Sequence, residues 1–356
     1  MTRPGEEDGQ GFVVGEWLQT RGADSDVAVC TRVRLARNVR GYRFPGAQDE
    51  AEARDLVQHV RERIEVSGMP EPLMAAELAS VSELELQLLV ERHLISRELA
   101  ASKRPRSVAV NTAESIALMI NEEDHLRLQV FASGFQTRAA WLRAEALDDA
   151  LVQRLPLAFH ESFGFLTSCP TNAGTGLRLS VMLHLPALVW SDQVEKLTNV
   201  AQKIHLAVRG LYGEGSRAIG DFYQVSNQVT LGRTEDEIVE EVSLAVAKFM
   251  AWERELRKTL LDGAARVRTL DRVHRALGVV ERAKILSSDE AMTCMSALRF
   301  GCHTGLLDQF QPMHLNRALL VSQPAHLQRY RGTELDPTER DEVRASLVRQ
   351  FLHLER

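Results

Sequence analysis

The chain has 356 residues, 44% hydrophobic and 26% charged, a globular balance with length enough for one large domain and a smaller one. A net charge of −6 gives no basis for bulk nucleic-acid binding, and no apolar run is long enough to span a bilayer. The cysteines Cys30, Cys169, Cys294 and Cys302 are scattered without a C-x-x-C pair, so neither a disulfide framework nor a structural zinc site is expected, and a reducing cytoplasm suits them.

Residues 1–22 read as a loose tail whose acidic, glycine-rich start does not resemble a secretory signal. From Val27 to Ala36 the pattern alternates, which puts Val27, Val29, Thr31, Val33 and Leu35 on one face of a strand and Cys30, Arg32 and Arg34 on the other. Apolar spacing predicts helices over 48–66 and 72–92. Short strands are expected at 107–111, 115–120, 125–131, 163–167, 177–185, 205–209 and 222–231, interrupted by helices near 137–154 and 191–202. Strands joined by short turns imply a mainly antiparallel sheet, hence an α+β class. Thr234-Glu-Asp-Glu237 is a capping box that starts a helix over 235–261, and everything onward to Arg356 reads as helix and loop. The domain boundary is placed at 258/259, giving a catalytic domain at 23–258 and a helical one at 259–356.

Strand alternation puts Arg32, Arg34, Arg127, Arg178 and Arg209 on the faces away from the aliphatic side. Any one of them alone is an ordinary solvated residue. Five on one face of one sheet would repel one another and call for a polyanion, and guanidinium forks suit phosphate oxygens. A nucleoside triphosphate is the match, although no P-loop motif occurs. Asn172-Ala-Gly-Thr-Gly176 lacks the third glycine of a dinucleotide fingerprint and reads as a flexible loop.

Asn121-Glu-Glu-Asp-His125 sets three carboxylates at a bend between apolar strands. In isolation that is a solvated turn; in a phosphoryl-transfer site one carboxylate would orient a cationic nucleophile and another would sit near Mg²⁺. Glu214, between glycines, is a second candidate to grip the same cation. Cys169 reads either as an inert buried thiol or as a thiolate beside a cationic substrate.

These residues resemble the ATP:guanido phosphotransferases, the family of creatine and arginine kinases. The resemblance rests on Cys169-Pro-Thr-Asn172, Gly174-Thr-Gly176, Arg178, Asn121-Glu-Glu-Asp-His125 and Arg127. Longer stretches resemble the bacterial protein arginine kinase branch. They include Thr31-Arg-Val-Arg-Leu-Ala-Arg-Asn38, Glu91-Arg-His-Leu-Ile-Ser96 and Val208-Arg-Gly-Leu-Tyr-Gly-Glu-Gly215. The resemblance implies a saddle-shaped antiparallel sheet flanked by helices, with a smaller all-helical C-terminal domain.

It also implies ATP and Mg, with no direct protein ligand to the metal and Glu122 in its outer shell. The nucleotide site would comprise Cys30, Thr31, Arg32, Val33, Arg34, His93, Arg127, Arg178, Leu179, Ser180, Val181, Met182, Arg209, Gly210, Leu211, Tyr212, Gly213 and Glu214. Glu123 would hold the acceptor guanidinium with Glu214, and Cys169 would border it. Cys30, Thr31, Leu179 and Asp221-Phe-Tyr-Gln224 depart from the family pattern without removing an arginine or a key carboxylate.

The arginine set starts at Arg32, without the large helical domain that precedes it in the small-molecule kinases, which favours an acceptor arginine presented by a protein. Asp336-Pro-Thr-Glu339 starts a helix that carries Arg340, Asp341, Arg344 and Ala345. These match a motif that recognises phosphoarginine in that branch. The resemblance further implies cytoplasmic location, a homodimer, a zinc-binding activator protein and marking of substrates for a Clp unfoldase and protease. Two alternatives stand: a non-catalytic phosphoarginine-binding adaptor, and a kinase for free arginine or another small guanidino compound.

Overall fold

The computed structural model describes residues 15–65, 69–210 and 219–354. Its strands are β1 (Ala28–Arg37), β2 (Met74–Glu77), β3 (Ser107–Val110), β4 (Ile116–Ile120), β5 (Leu126–Ser133), β6 (Phe159–His160), β7 (Gly164–Phe165), β8 (Leu177–His184), β9 (Leu206–Gly210) and β10 (Phe222–Asn227). Helices α1 (Glu50–Glu65), α2 (Glu83–Glu91), α3 (Arg97–Ala101), α4 (Thr137–Val152), α5 (Pro186–Trp190), α6 (Val194–Lys203) and α7 (Glu235–Leu260) accompany them. The C-terminal part consists of α8 (Gly263–Arg282), α9 (Ser288–His303), α10 (Pro312–Val321), α11 (Pro324–Arg331) and α12 (Pro337–Phe351). No described helix is long and apolar enough to cross a membrane.

Eight strands form one antiparallel sheet in the order β2-β3-β4-β5-β1-β8-β10-β9, so the α+β class read from the sequence is the one observed. Alternation gives its two faces different fates. On one face Val33, Leu35, Leu126, Leu128, Val130, Leu177, Leu179, Val181 and Leu183 join a core built with α1, α4, α6 and α7. The other face has two separate apolar covers. Val108, Val110, Ala117 and Met119 pack with Leu94, Ile95 and Leu99 beside α2 and α3. Val29, Cys30, Phe131 and Phe222 pack against the C-terminal helices. The strip between these covers is where the functional side chains emerge.

Several expectations are corrected. The tail does not extend to residue 22: Trp17 and Leu18 are buried in the C-terminal cover, and Leu18 O accepts from Asn316 Nδ2 at 2.8 Å. Val29 does not share a face with Val33, because a register shift between Ala28 and Cys30 bulges β1 and turns Val29 and Cys30 to the same cover. The helix expected over 72–92 begins only at Glu83, where Ser82 Oγ caps it, and residues 74–77 pair with β3 as an edge strand. Strand β10 stops at Asn227 because that side chain takes over the ladder, bonding Leu177 O and Leu179 N. A short helix at 186–190, absent from the sequence reading, has its first N–H groups held by the buried carboxylate of Glu253 at 3.0 and 2.9 Å.

The Gly174-Thr-Gly176 stretch is packed against backbone rather than open. A Cβ on Gly174 would meet Thr230 O at 2.6 Å, and one on Gly176 would meet Arg37 Nη1 at 2.5 Å. Arg37 itself is 1% exposed, pairs with Asp148 at 2.7 Å, donates to Ala36 O and Thr175 O, and lies 3.6 Å from the Phe165 ring centroid. Removing its carboxylate leaves an uncompensated buried charge. Asp148→Ala is therefore expected to cost about 3–5 kcal/mol of stability, read as a lower midpoint in urea unfolding.

Candidate functional site

The site grows from the register of the central strands. Arg34 on β1 stands directly opposite Arg178 on β8 and Gln129 on β5. Arg32 is opposite Ser180 and Phe131, Arg127 on β5 lies two positions from Gln129, and Arg209 on β9 faces Gln224 on β10. All five guanidinium side chains therefore leave the same face, and all five line one cleft of about 1410 Å³. A like-charged pair set directly opposite across strands is unfavourable by itself. Burial, and then the neighbouring guanidinium groups, pull Arg32 down to about 10 and push Arg34 in the same direction. The buried Nε of Arg34 has no acceptor among the described residues. A cleft with this floor is built for a polyanion.

Glu122 and Glu123 line the same cleft from the β4–β5 hairpin, whose tight turn is set by Asn121 in the left-handed region (φ 61°). Their surroundings shift them in opposite directions. Burial pushes the Glu122 carboxyl up, but Arg127, donating at 2.7 Å, the Ser96 hydroxyl and the Glu123 N–H more than offset it, so its net shift is downward. Glu123 is exposed, and partial burial with the charges of Asp124, Glu122 and Glu98 raises it. Glu122 is thus favoured as an anion, and Glu123 binds a proton more readily than an ordinary glutamate.

Cys169 does not line the cleft. It lies on the loop before β8 with its Sγ 3.0 Å from Thr171 Oγ1. That loop reaches Glu123 through Asn172 Nδ2 at 3.5 Å. It is fixed by Asp124, the third carboxylate of the turn, which is buried and accepts from Ser168 N and Asn38 Nδ2, each at 2.6 Å. His93 ends α2 in the left-handed region (φ 60°), a place glycine fills without strain, and its ring lines the cleft. Burial, then Arg32, Arg97 and Arg34, push its pKa down to about 3, so the ring is neutral at physiological pH.

The structure divides the expected nucleotide segments residue by residue. Val33, Leu179 and Val181 face the opposite core and can offer a ligand backbone only, because strand alternation turns them away. Thr31 is fully buried, with its hydroxyl bonded to Gly134 O. Cys30 packs under the C-terminal helices, where burial lifts its thiol to about 12, and Ser180 is buried with its hydroxyl on Arg32 O. Met182 and Gly210 line the cleft. Leu211, Tyr212, Gly213 and Glu214 lie outside the described residues.

In the C-terminal motif, Arg340 and Asp341 are half-buried, but Arg344 and Ala345 are 1% exposed. Arg344 spends its guanidinium on Ser322 O and Leu286 O, both at 2.8 Å, and on Asp341. This differs from an open two-arginine reader. Sequence reasoning missed Gln224, which accepts from Arg32 at 3.1 Å, and Ser96 on Glu122. Alternation along residues 222–227 carried a signal for the first, since it sets Gln224 and Ser226 on the arginine side.

The chain is similar to known proteins along nearly its whole length. The family model for the ATP:guanido phosphotransferase C-terminal catalytic domain matches residues 55–256, and that for the protein-arginine kinase McsB C-terminal domain matches residues 266–356. A protein-arginine kinase of Symbiobacterium thermophilum is 44% identical over 340 residues, covering 94% of this chain and 96% of the relative. The protein-arginine kinase of Bacillus subtilis is 38% identical, covering 96% and 94%. Among solved structures, a lombricine kinase crystal structure aligns with a TM-score of 0.58 at 25% identity, over 72% of this chain and 73% of that one.

Mutual repulsion among the guanidinium groups gives a test independent of catalysis. Arg34→Met is expected to raise the stability of the ligand-free protein by up to about 1 kcal/mol and to shrink the stabilisation conferred by inorganic tripolyphosphate. Urea titrations with and without tripolyphosphate measure both effects, and an unchanged tripolyphosphate effect would remove Arg34 from the anion site.

Proposed function

The chain belongs to the protein-arginine kinases, within the ATP:guanido phosphotransferases, and from that premise we propose that it transfers the γ-phosphate of Mg·ATP to the guanidinium of arginine side chains in proteins. The observation that carries the reading is the placement of five arginines and two carboxylates, Glu122 and Glu123, in one cleft.

In this reading Arg32, Arg34, Arg127, Arg178 and Arg209 hold the polyphosphate and stabilise charge on the transferring group, which is the main need of phosphoryl transfer. Mg²⁺ would come bound to the nucleotide and offset charge on its phosphate oxygens, with Glu122 as the residue of its outer shell. Glu123 orients the acceptor guanidinium in line with the γ-phosphorus. As the new N–P bond forms and the bridging O–P bond to ADP breaks, the guanidinium proton passes to Glu123. Glu214 is the second carboxylate on the acceptor and Cys169 borders it, through the loop that Asp124 fixes.

The finer parts of the proposal rest on the family resemblance. They are a catalytic unit at 23–258 and a helical unit at 259–356, a cytoplasmic homodimer, a zinc-binding activator protein and a Clp unfoldase and protease that receive the marked substrates. Phosphoarginine recognition by the Arg340-to-Ala345 helix belongs with them. Given the burial of Arg344, the phosphoryl group meets Arg340 first, and Asp341 suits the guanidinium to which it is attached.

Incubation with Mg·ATP and either casein or free arginine, followed by mass spectrometry at neutral pH, tests the reaction. Phosphate on casein arginines is expected; phosphate on free arginine alone would move the assignment to a small-molecule kinase, and none on either would leave a non-catalytic adaptor. Glu123→Ala is expected to lower kcat by roughly 10²–10⁴-fold. Because the Glu123 carboxyl is raised, the base form is lost as pH falls at a higher pH than for an ordinary glutamate, so the acid limb of kcat/KM should lie above the usual glutamate range. Arg340→Ala is expected to weaken phosphoarginine binding in calorimetry while leaving Mg·ATP affinity intact, and equal phosphoarginine affinity in both proteins would overturn that part.

A further inference from the structure

The loop that reaches Glu123 is held between two flanks whose apolar side chains the phosphoryl chemistry leaves unused. One flank is the β6–β7 hairpin. Phe165 N donates to Gly174 O at 2.8 Å, Gly174 N donates to Phe165 O at 3.3 Å, and a Cβ on Gly164 would meet Gly174 O at 2.5 Å. The other flank is the segment after β10. The Thr230 hydroxyl bonds Thr171 O at 3.0 Å and Ala173 O at 2.7 Å, and a Cβ on Gly174 would meet Leu231 Cα at 2.8 Å. Backbone meets backbone on both flanks.

These flanks hold large apolar side chains in solvent. Phe163, next to Gly164, is 54% exposed, Phe159 50%, Leu231 49% and Val229 42%. Single exposed apolar residues are ordinary, but here four stand on the two segments that clamp one loop. The hairpin beneath them is anchored. Phe165, opposite Phe159 with the rings edge to face at 5.3 Å, lies against the buried Arg37 guanidinium at 3.6 Å. Reach connects the flanks to the acceptor site. Asn172, whose Nδ2 is 3.5 Å from Glu123 Oε2, is two residues from Gly174, and two residues of extended chain span about 7 Å. In an extended polypeptide, residues two apart also project to the same side. An arginine delivered to Glu123 by such a segment therefore brings side chains two positions away over the distance that separates Glu123 from the flanks. A free guanidino compound has nothing to place there.

We infer that the hairpin tip and the 229–231 segment form a docking rim for the acceptor chain, one that favours arginines with a large apolar residue two positions away. This docking role rests on the protein-arginine kinase reading above and deepens it by naming the sequence context of the acceptor. A leucine or phenylalanine laid against Phe163 and Leu231 removes apolar surface from water, which a serine or glycine does not. The contact is remote from the transferring phosphoryl group and the same before and during transfer, so it acts on KM and leaves kcat unchanged.

Two peptides test the rim, each with a single arginine in a Gly/Ser chain. One carries leucine at both positions two away from the arginine, the other serine. With Mg·ATP, the wild type is expected to show a kcat/KM about tenfold higher for the leucine peptide, with the difference in KM. In Phe163→Ser/Leu231→Ser the ratio is expected to fall to about twofold or less, with the serine peptide turned over as by wild type. A wild-type ratio near one, or a ratio that the double variant retains, would overturn the rim. Should the double variant not fold, seen as loss of both peptides, Phe163→Ser and Leu231→Ser decide singly, and an unchanged ratio in both overturns the inference. If neither peptide is phosphorylated, the kinase reading fails, and anisotropy of the labelled peptides decides the rim. Tighter binding of the leucine peptide by wild type but not by the variants supports it, and equal binding rules it out. Sedimentation covers the other occupant, a second copy of this chain: a lower mass for the double variant would assign the rim to self-association and overturn the docking role.

Discussion

Repulsion among five guanidinium groups on one face of one sheet is the constraint around which the molecule is arranged. Apolar side chains cannot cover that strip without stranding its charges, so the two covers of this face stop on either side of it. The opposite face, with no such obligation, is closed by four long or amphipathic helices and carries the main core. What remains between the covers is a cleft with a cationic floor. Glu122 stands in it as a counterion to Arg127, and the crowding of guanidinium groups around Arg34 keeps the floor suited to an anion. The stability needed to hold such a floor comes from elsewhere, including the Arg37–Asp148 pair and the Glu253 carboxylate beneath α5.

That same constraint explains why the site was more legible than the rest of the chain. Strict alternation along Leu126–Ser133 and Leu177–His184 assigns a face to every residue, so the shared side of Arg127 and Arg178 follows from pattern alone, and the Asn121-to-His125 bend announces its hairpin. The errors lie where a tertiary contact outranks a local pattern. Trp17 and Leu18 sit in a sequence rich in glycine and charge, and tertiary packing against β1, β5 and α10 gives them a place to be buried. The bulge after Ala28 turns Val29 to the other side of the sheet, and no local propensity marks it. Leu73 and Leu78 both fall in the helix expected over 72–92 but serve two different cores on either side of a short edge strand.

The burial of Arg344 is the strongest example of that limit. At i,i+4 spacing Arg340 and Arg344 look equivalent, yet one is half-buried at the helix start and the other is engaged by carbonyl oxygens from two other segments. Spacing says which residues share a helix side; it says nothing about which neighbouring loop brings its carbonyl groups there.

This placement also shows how the helical part reaches the cleft. Ser322 O is held by Arg344 Nε. Three residues on, Glu91 from α2 accepts from Ala325 N at 2.8 Å and His326 N at 3.2 Å and meets His326 Nδ1 at 2.7 Å. Between these two anchors stand Gln323 and Pro324, which line the cleft. The first turn of α11 is thus satisfied by a carboxylate from the catalytic side of the chain, a favourable use of the helix dipole, while α12 grips the residue just before it. This wall is held by an arginine of α12 on one side and a glutamate of α2 on the other. An anion that engaged Arg344 would have to compete with its bonds to Ser322 and Leu286, and a ligand that moved α2 would pull on Glu91. The helical half is for this reason a structural part of the cleft, joined to it by directed polar contacts as well as by apolar packing.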